Sequence, residues 1–522
     1  MSSLDSHPQI TYAELDFFLK NPELKAITFS HLQDKKNRWC LLNAALTCKD
    51  FLDVALDALW EELDSLVPLL KLLPAMKLEN KAYVCANAHV LLYDLFCVQV
   101  LTSGNASQTD WDRLQYYSRK VKFFEAMTDK DCPEVHPLTY FRIAQLQSSA
   151  LFPSLRHLRY NLGEFSSVIP QIFLFLSPLL DSLELFNIRG LENTVVGSFL
   201  ATLSSPMLSR IVLRAGEMSV DILKESIFRF KQLRSLELLD AIYMSDLSLM
   251  EVLGTLPSLE NLKLRTVDPC PAKSPENSSS QTGGSKYFVA LESLSVTGSF
   301  FLIQYLLGFI DSLCLKSIEV HTVIHRVYNE HEHEDILIPS MTIIASKWSK
   351  SLKNLFIGSR GVAHHNAISK CLILLMDLHE MQSFHLKGPG WRMVNMNDDD
   401  VRRLVMSWPK LRVLNLKQTI FSLSALKIIA ENCPELHYMC IQLDISTFPP
   451  FDVSSKTRSH NLKFLIVAGV RPSDTTAQTS MECQLQVTQH LDLIFPYLRS
   501  LEIWDKTWSK LEYTRPDQVS PP

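Results

Sequence analysis

From residue 155 onward the chain repeats one order of apolar and variable positions: apolar, two variable, apolar, one variable, apolar. It is plain in LRSLEL (Leu233–Leu238), LENLKL (Leu259–Leu264), LKNLFI (Leu352–Ile357), LRVLNL (Leu411–Leu416) and LRSLEI (Leu498–Ile503). Thirteen copies start at 155, 180, 208, 233, 259, 291, 315, 352, 381, 411, 436, 462 and 498. The last two apolar residues of a copy are two apart, so on a strand they share one face and enter the core, while the residues between them point the other way. Helical spacing follows many copies, as in LSALKIIAENCPEL ahead of the copy at Leu436. A unit of this kind cannot bury its apolar side alone, so the copies must stack.

The intervals run from 24 to 37 residues, and most fall near the period of about 20–29 residues of leucine-rich repeats. The long intervals hold insertions: DPCPAKSPENSSSQTGGSK, HRVYNEHEHED and RPSDTTAQTS. The first is rich in Pro, Ser and Gly and is expected to be a disordered loop near 268–287. The pattern predicts an α/β solenoid over 151–508, a leucine-rich-repeat horseshoe with a parallel concave β-sheet. Three residues after the last apolar position such repeats carry Asn or Cys; here Thr419, Asp444, Ala241 and Val267 stand there, so an irregular solenoid is expected.

Upstream the period changes from strand-like to helical. Leu41, Leu42, Ala45 and Leu46 make one short apolar face, and a turn at TCKD follows. In FLDVALDALWEEL, Leu52, Ala55, Leu56, Leu59 and Leu63 recur at helical spacing, with Asp53, Asp57, Glu61 and Asp64 on an opposite, solvated face. NPELKAITFSHL precedes them and offers Ile27, Phe29 and Leu32.

Composition narrows the function classes. The 522 residues are 47% hydrophobic and 20% charged, with a net charge of -5 and no Lys/Arg block, which argues against nucleic-acid binding. The first residues lack a signal peptide's basic and apolar regions. The most apolar window, VIPQIFLFLSPLL, is short and broken by two prolines, so no membrane partner is expected. Eleven Cys without CxxC pairs read as reduced thiols of an intracellular protein, cytoplasmic or nuclear. No Gly-rich phosphate loop, GxSxG or zincin motif occurs, so no catalytic residue, metal or cofactor is expected and the chain is read as a non-enzyme. The histidines of HTVIHRVYNEHEHED read as a solvated loop.

The run PELKAITFSHL…LLNAALTCKDFLDVALDALW resembles the F-box, and DWDRLQYYSRKVKFF (Asp110–Phe124) is similar to the helical link that precedes irregular leucine-rich repeats in fungal F-box proteins. The resemblance implies an N-terminal tail at 1–14, an all-α F-box at 15–62, a helical linker at 63–150, the repeats at 151–508 and a tail at 509–522. It implies a substrate receptor of an SCF-type cullin-RING ubiquitin ligase. Its F-box would dock on a Skp1-like adaptor through Pro22, Leu24, Ile27, Phe29, Leu32, Leu42, Ala45, Leu46, Cys48, Phe51, Leu59 and Trp60. The alternative is a leucine-rich-repeat scaffold for protein–protein interaction whose N-terminal helices only cap the array.

A protein substrate is expected on the outward strand positions. Candidate contacts are Arg210, Arg214, Lys263, Arg265, Phe356, His385, Lys387, Lys417, Tyr438 and Trp504, because exposed aromatics beside cations have the composition of binding hot spots. Arg210, Arg214, Lys263 and Arg265 are expected on neighbouring strands, placed to hold an acidic or phosphorylated peptide.

Overall fold

The computed structural model describes residues 17–18, 20–32, 37–74, 76–79, 82–85, 88–89, 100–101, 107–126, 134–135, 143–144, 150–162, 169–189, 192–215, 220–239, 248–266, 286–323, 332–359, 365–388, 394–446, 460–471, 481–504 and 512–514. Most of the three insertions and of both expected tails lies outside them. The chain divides into two compact units, Met1–Met218 with Glu225–Gln232, and Ser219–Lys224 with Leu233–Pro522.

The first unit opens with helices α1 (Pro22–Ser30), α2 (Arg38–Thr47) and α3 (Lys49–Trp60). Asn21 starts α1: its side-chain oxygen accepts from the N–H groups of Glu23 and Leu24 at 3.0 and 3.2 Å, with Pro22 behind it. Phe29, Leu41, Ala45 and Ala55 close a small core, with Leu32, Phe51 and Leu59 packed against it. At about 1.5–3 kcal/mol for each large apolar side chain fully buried, that core is modest.

The spacing of α3 places its faces only in part. Leu52 is exposed, and Leu63 leaves the helix for strand β1 (Glu62–Leu63). The acidic face is engaged as well, because it meets the segment containing α4 (Gln108–Ser118). Tyr116 donates to Asp53 at 3.2 Å, Lys120 pairs with Asp57, and Lys122 with Glu61 at 2.9 Å. Trp60 lies against Tyr117, ring centroids 4.6 Å apart.

Four more parallel strands complete this unit's sheet: β2 (Phe123–Ala126), β3 (His157–Asn161), β4 (Ser182–Ile188) and β5 (Arg210–Ala215), in the order β1-β2-β3-β4-β5. Strands therefore lie inside the segment expected to be a helical linker. They obey the repeat geometry, in which one carbonyl accepts from two successive N–H groups of the next copy. Glu61 takes those of Lys122 and Phe123, Lys122 those of Arg156 and His157, and Arg156 those of Asp181 and Ser182.

In the second unit the same device joins β6 (Ser235–Leu239), β7 (Asn261–Arg265), β8 (Ser293–Gly298), β9 (Ser317–Thr322), β10 (Asn354–Ser359), β11 (Ser383–Lys387), β13 (Val413–Ser422), β14 (Tyr438–Asp444), β15 (Phe464–Arg471) and β16 (Ser500–Ile503), with the short β12 (Val394–Asn395) set outside it. All are parallel, β11 pairing directly with β13 and β12 lying alongside β13 further on, and β17 (Glu512–Thr514) adds antiparallel to β16. A ladder of core residues runs in register from Leu236 through Leu262, Leu294, Ile318, Leu355, Phe384, Leu414, Met439 and Leu465 to Leu501.

All thirteen copies form strands, and the residue that opens each copy, Leu155 through Leu498, is at most 4% exposed. This is an α/β solenoid of stacked repeats. Helices such as α5 (Phe300–Phe309), α6 (Glu332–Trp348), α7 (Asp398–Ser407) and α8 (Leu423–Asn432) connect its strands. The missing Asn is partly replaced by threonine: Thr266 donates to the Thr297 carbonyl at 3.3 Å and Thr322 to that of Gly358 at 3.4 Å. Among the described residues no helix is long and apolar enough to cross a membrane.

Candidate functional site: exposed helices and the strand faces

The twelve residues expected to meet an adaptor divide between two roles. Phe29 and Ala45 are buried, Leu32, Phe51 and Leu59 line the same core, and Trp60 packs on Tyr117. Leu24, Leu42 and Cys48 are half-buried, and Pro22 is exposed. Ile27 and Leu46 are 57% and 75% exposed. Trp39, outside the expected set, is exposed too, as is Leu52. Its signal in the sequence was a tryptophan one position before Cys40 on a helix whose core residues are Leu41 and Ala45.

On the strand face of the first unit, Arg159 pairs with Glu125 and, at 3.5 Å, with Glu184, which Arg210 also meets at 3.4 Å. The guanidinium groups of Arg159 and Arg214 lie over the Phe186 ring at 5.1 and 5.5 Å. Phe123 stacks on His157 with centroids 4.5 Å apart. Around that pair is a pocket of about 410 Å³ lined by Glu61, Glu62, Glu125, His157, Arg159 and Glu184 among others. Burial holds the His157 pKa below its ordinary value, with the charges of Asp181 and Glu184 acting against it.

Of the expected basic cluster, each unit holds a pair. Arg210 and Arg214 belong to the first unit, Lys263 and Arg265 to the second. The register partners of Lys263 are Glu237 and Ser295, so an acid and a hydroxyl flank it where more cations were expected. Equal spacing within each copy hides which copy lies beside which.

The remaining candidates share the strand face of the second unit. Phe356 and His385 are register partners with rings 5.7 Å apart, and His321 lies against Phe356 at 4.7 Å. His321 meets Glu319 at 2.8 Å, and Ser295 donates to the other Glu319 oxygen at 2.9 Å. Burial works to raise the Glu319 carboxyl, but those hydrogen bonds outweigh it and leave the pKa below its ordinary value. Burial lowers the His385 pKa.

Further along, Lys417 lies over the Trp504 ring at 5.0 Å, and the Trp504 indole donates to Glu502 at 3.1 Å. Cys440 is buried beneath this group, its thiol pushed up to about 11 by burial, against the opposing charges of Lys417 and Lys387. Tyr438 is half-buried beside it. Phe464, register partner of Tyr438 and 46% exposed, belongs to the same surface. It was legible from LKFLIV, where it holds the position of Tyr438 one copy on.

The Ser383 hydroxyl lies 3.0 Å from His385 Nε2 on the same strand face. Among the described residues no group of three His, Cys, Asp or Glu side chains is placed to hold a metal ion. The His-rich loop, apart from His321, lies outside the described side chains.

No protein-family model matches the chain, and no curated protein does. Solved structures do. The yeast complex of Rad7 and Elc1 aligns at 15% identity and a TM-score of 0.28, covering 69% of this chain and 79% of that one. A complex of TLR13 with ssRNA13 aligns at 11% identity and a TM-score of 0.25, covering 75% of this chain and 60% of that one. At these scores the solenoid assignment stands on the strand register itself.

Proposed function

We propose that this chain is the substrate-recognition subunit of an SCF-type cullin-RING ubiquitin ligase, docking on a Skp1-like adaptor through residues 22–60 and holding a protein substrate on its strand faces. The observation that carries this reading is a helical module with a closed core that leaves large apolar side chains outside. Phe29, Leu41, Ala45 and Ala55 satisfy the interior, while Ile27, Trp39, Leu46 and Leu52 stay exposed. Exposed apolar groups of this size are favourable to cover. In such a ligase the chain contributes proximity between substrate and a separately recruited transfer enzyme, and no acid, base or nucleophile.

A second reading has its own support. The acidic face of α3 is tied to residues 116–122, and β1 starts directly after the helix, as expected of helices that cap an array. Coexpression with a Skp1-type adaptor separates the two. Stoichiometric copurification that is lost in Ile27→Asp/Leu46→Asp, with the variant still folded, is the result expected of a ligase subunit. A well-folded wild-type chain that captures no adaptor leaves the scaffold.

A further inference from the structure

The strand face of the second unit changes character along the sheet. At the register position that opens each strand, β6 to β11 carry Ser235, Asn261, Ser293, Ser317, Asn354 and Ser383. The strands that follow carry Val413, Tyr438 and Phe464 there. At that position large side chains occupy β13 to β15 before Ser500 follows on β16, and Phe464 and Trp504 are close to half exposed.

The same strands hold two lysines without a carboxylate. Leu386 and Leu416 are register partners, so Lys387 and Lys417 follow side by side on β11 and β13. Elsewhere in this unit Arg234, Lys316, Lys410 and Arg412 each have a glutamate, at 2.7–3.2 Å. Among the described residues no ion pair is formed by Lys387 or Lys417. Glu502, which shares this part of the face, accepts from the Trp504 indole, while Lys417 rests over the Trp504 ring. Lysines on adjacent strands can both reach an anion set between them, which gains from both charges. These side chains are lysines, and a lysine does not offer the two-pronged grip with which arginine favours phosphate.

We propose that Lys387, Lys417, Tyr438, Phe464 and Trp504 form a docking site for an acidic segment of a partner protein. A side-chain carboxylate lies between the two lysines, and an apolar neighbour covers Phe464 and Trp504. The proposal rests on reading the strand face as the substrate surface and names the chemistry of what binds there.

The test uses the full chain and short fluorescent peptides of alternating Glu and Leu, Gln and Leu, or Lys and Leu, followed by anisotropy. The Glu–Leu peptide is expected to bind about tenfold more tightly than the Gln–Leu peptide, with the preference shrinking as salt rises. Lys387→Glu/Lys417→Glu is expected to abolish that preference and favour the Lys–Leu peptide, at an unchanged melting temperature. Lys387→Gln/Lys417→Gln, a milder change, is expected to remove the preference without reversing it. No preference in the wild type, or one that survives both double variants, overturns the site. A phosphoserine–Leu peptide binding tenfold more tightly than Glu–Leu also overturns it, replacing carboxylate by phosphate. Adaptor capture is measured on the same preparations. Peptide preference without adaptor capture upholds this site while removing the ligase reading.

Discussion

Thr266 occupies the space that a side chain on Gly298 would need: a Cβ there would lie 2.5 Å from the Thr266 hydroxyl oxygen. That hydroxyl also donates to the Thr297 carbonyl, so the threonine bridges two copies where other arrays use Asn. Gly298→Ala should therefore cost about 1–3 kcal/mol by overpacking. Adding Thr266→Ala should return much of it, because the atom in the way is then gone and the next contact is the flexible end of Leu302. Urea denaturation of the two single variants and the double variant checks this, and strictly additive losses would refute it.

Lys347 closes the end of helix α5. Its ammonium donates to the carbonyls of Leu307, Gly308 and Ile310 at 3.1, 2.6 and 2.9 Å, groups that a helix terminus leaves without intrahelical partners. Lys347→Met keeps the stem and removes the donor, and should lower stability by about 1–2 kcal/mol. Amide exchange should quicken first around residues 306–310. Unchanged exchange there would show the carbonyls to be served equally well by water.

His460 is buried, and its Nδ1 accepts from the Leu462 N–H at 3.0 Å, a bond that only the unprotonated nitrogen makes. Burial pushes its pKa down to about 4, with a backbone contact from Cys433 acting in the other direction. The unfolded chain takes up this proton near the ordinary histidine pKa of about 6.5, and the folded one only near 4. Stability from this group is thus complete above about pH 6.5 and is lost as the pH falls toward 4, by about 3 kcal/mol at most. Denaturation at pH 7.5 and 4.5 should show a smaller pH effect in His460→Gln than in the wild type. Equal pH effects would assign the acid sensitivity elsewhere.

Lys120 is largely covered, between Asp57 and the Tyr116 ring, whose centroid is 4.6 Å away. Asp57 is mostly exposed, which limits the pair to about 0.5–1 kcal/mol. Lys120→Met should cost about 1 kcal/mol because it loses the aromatic contact as well, and Asp57→Asn less. A double-mutant cycle across Asp57 and Lys120 measures the coupling; a value near zero would mean that the acidic face of α3 does nothing for the joint with residues 116–122.

The repeats were legible in the sequence because each copy carries its own evidence of strand and face: Leu411, Leu414 and Leu416 are a complete statement within six residues. The two earliest strands of the parallel repeat sheet escaped because their versions are degraded. Val121, Phe124 and Ala126 fit the rule without a leucine among them, and Leu63 looked like the last turn of a helix. The contacts of Asp53, Asp57 and Glu61 escaped for a different reason, although Asp53 and Asp57 do stay exposed. Their partners lie some sixty positions away, beyond the reach of any local period. The flanks of Lys263 escaped likewise, since only the strand register shows that Glu237 and Ser295 lie beside it.

The run from Ser235 to Ser383 gives the second unit six consecutive strands with a short, uncharged side chain at one fixed height. Nothing in the buried ladder depends on those six groups, because the adjacent residue on each strand carries the core contact. They are blank positions on an indexed grid, about 4.8 Å apart from strand to strand. A larger residue written at any of them would move the boundary of the aromatic region by a known step. At those positions a docking preference of the proposed kind would be extended, shortened or displaced one strand at a time while the interior stays as it is.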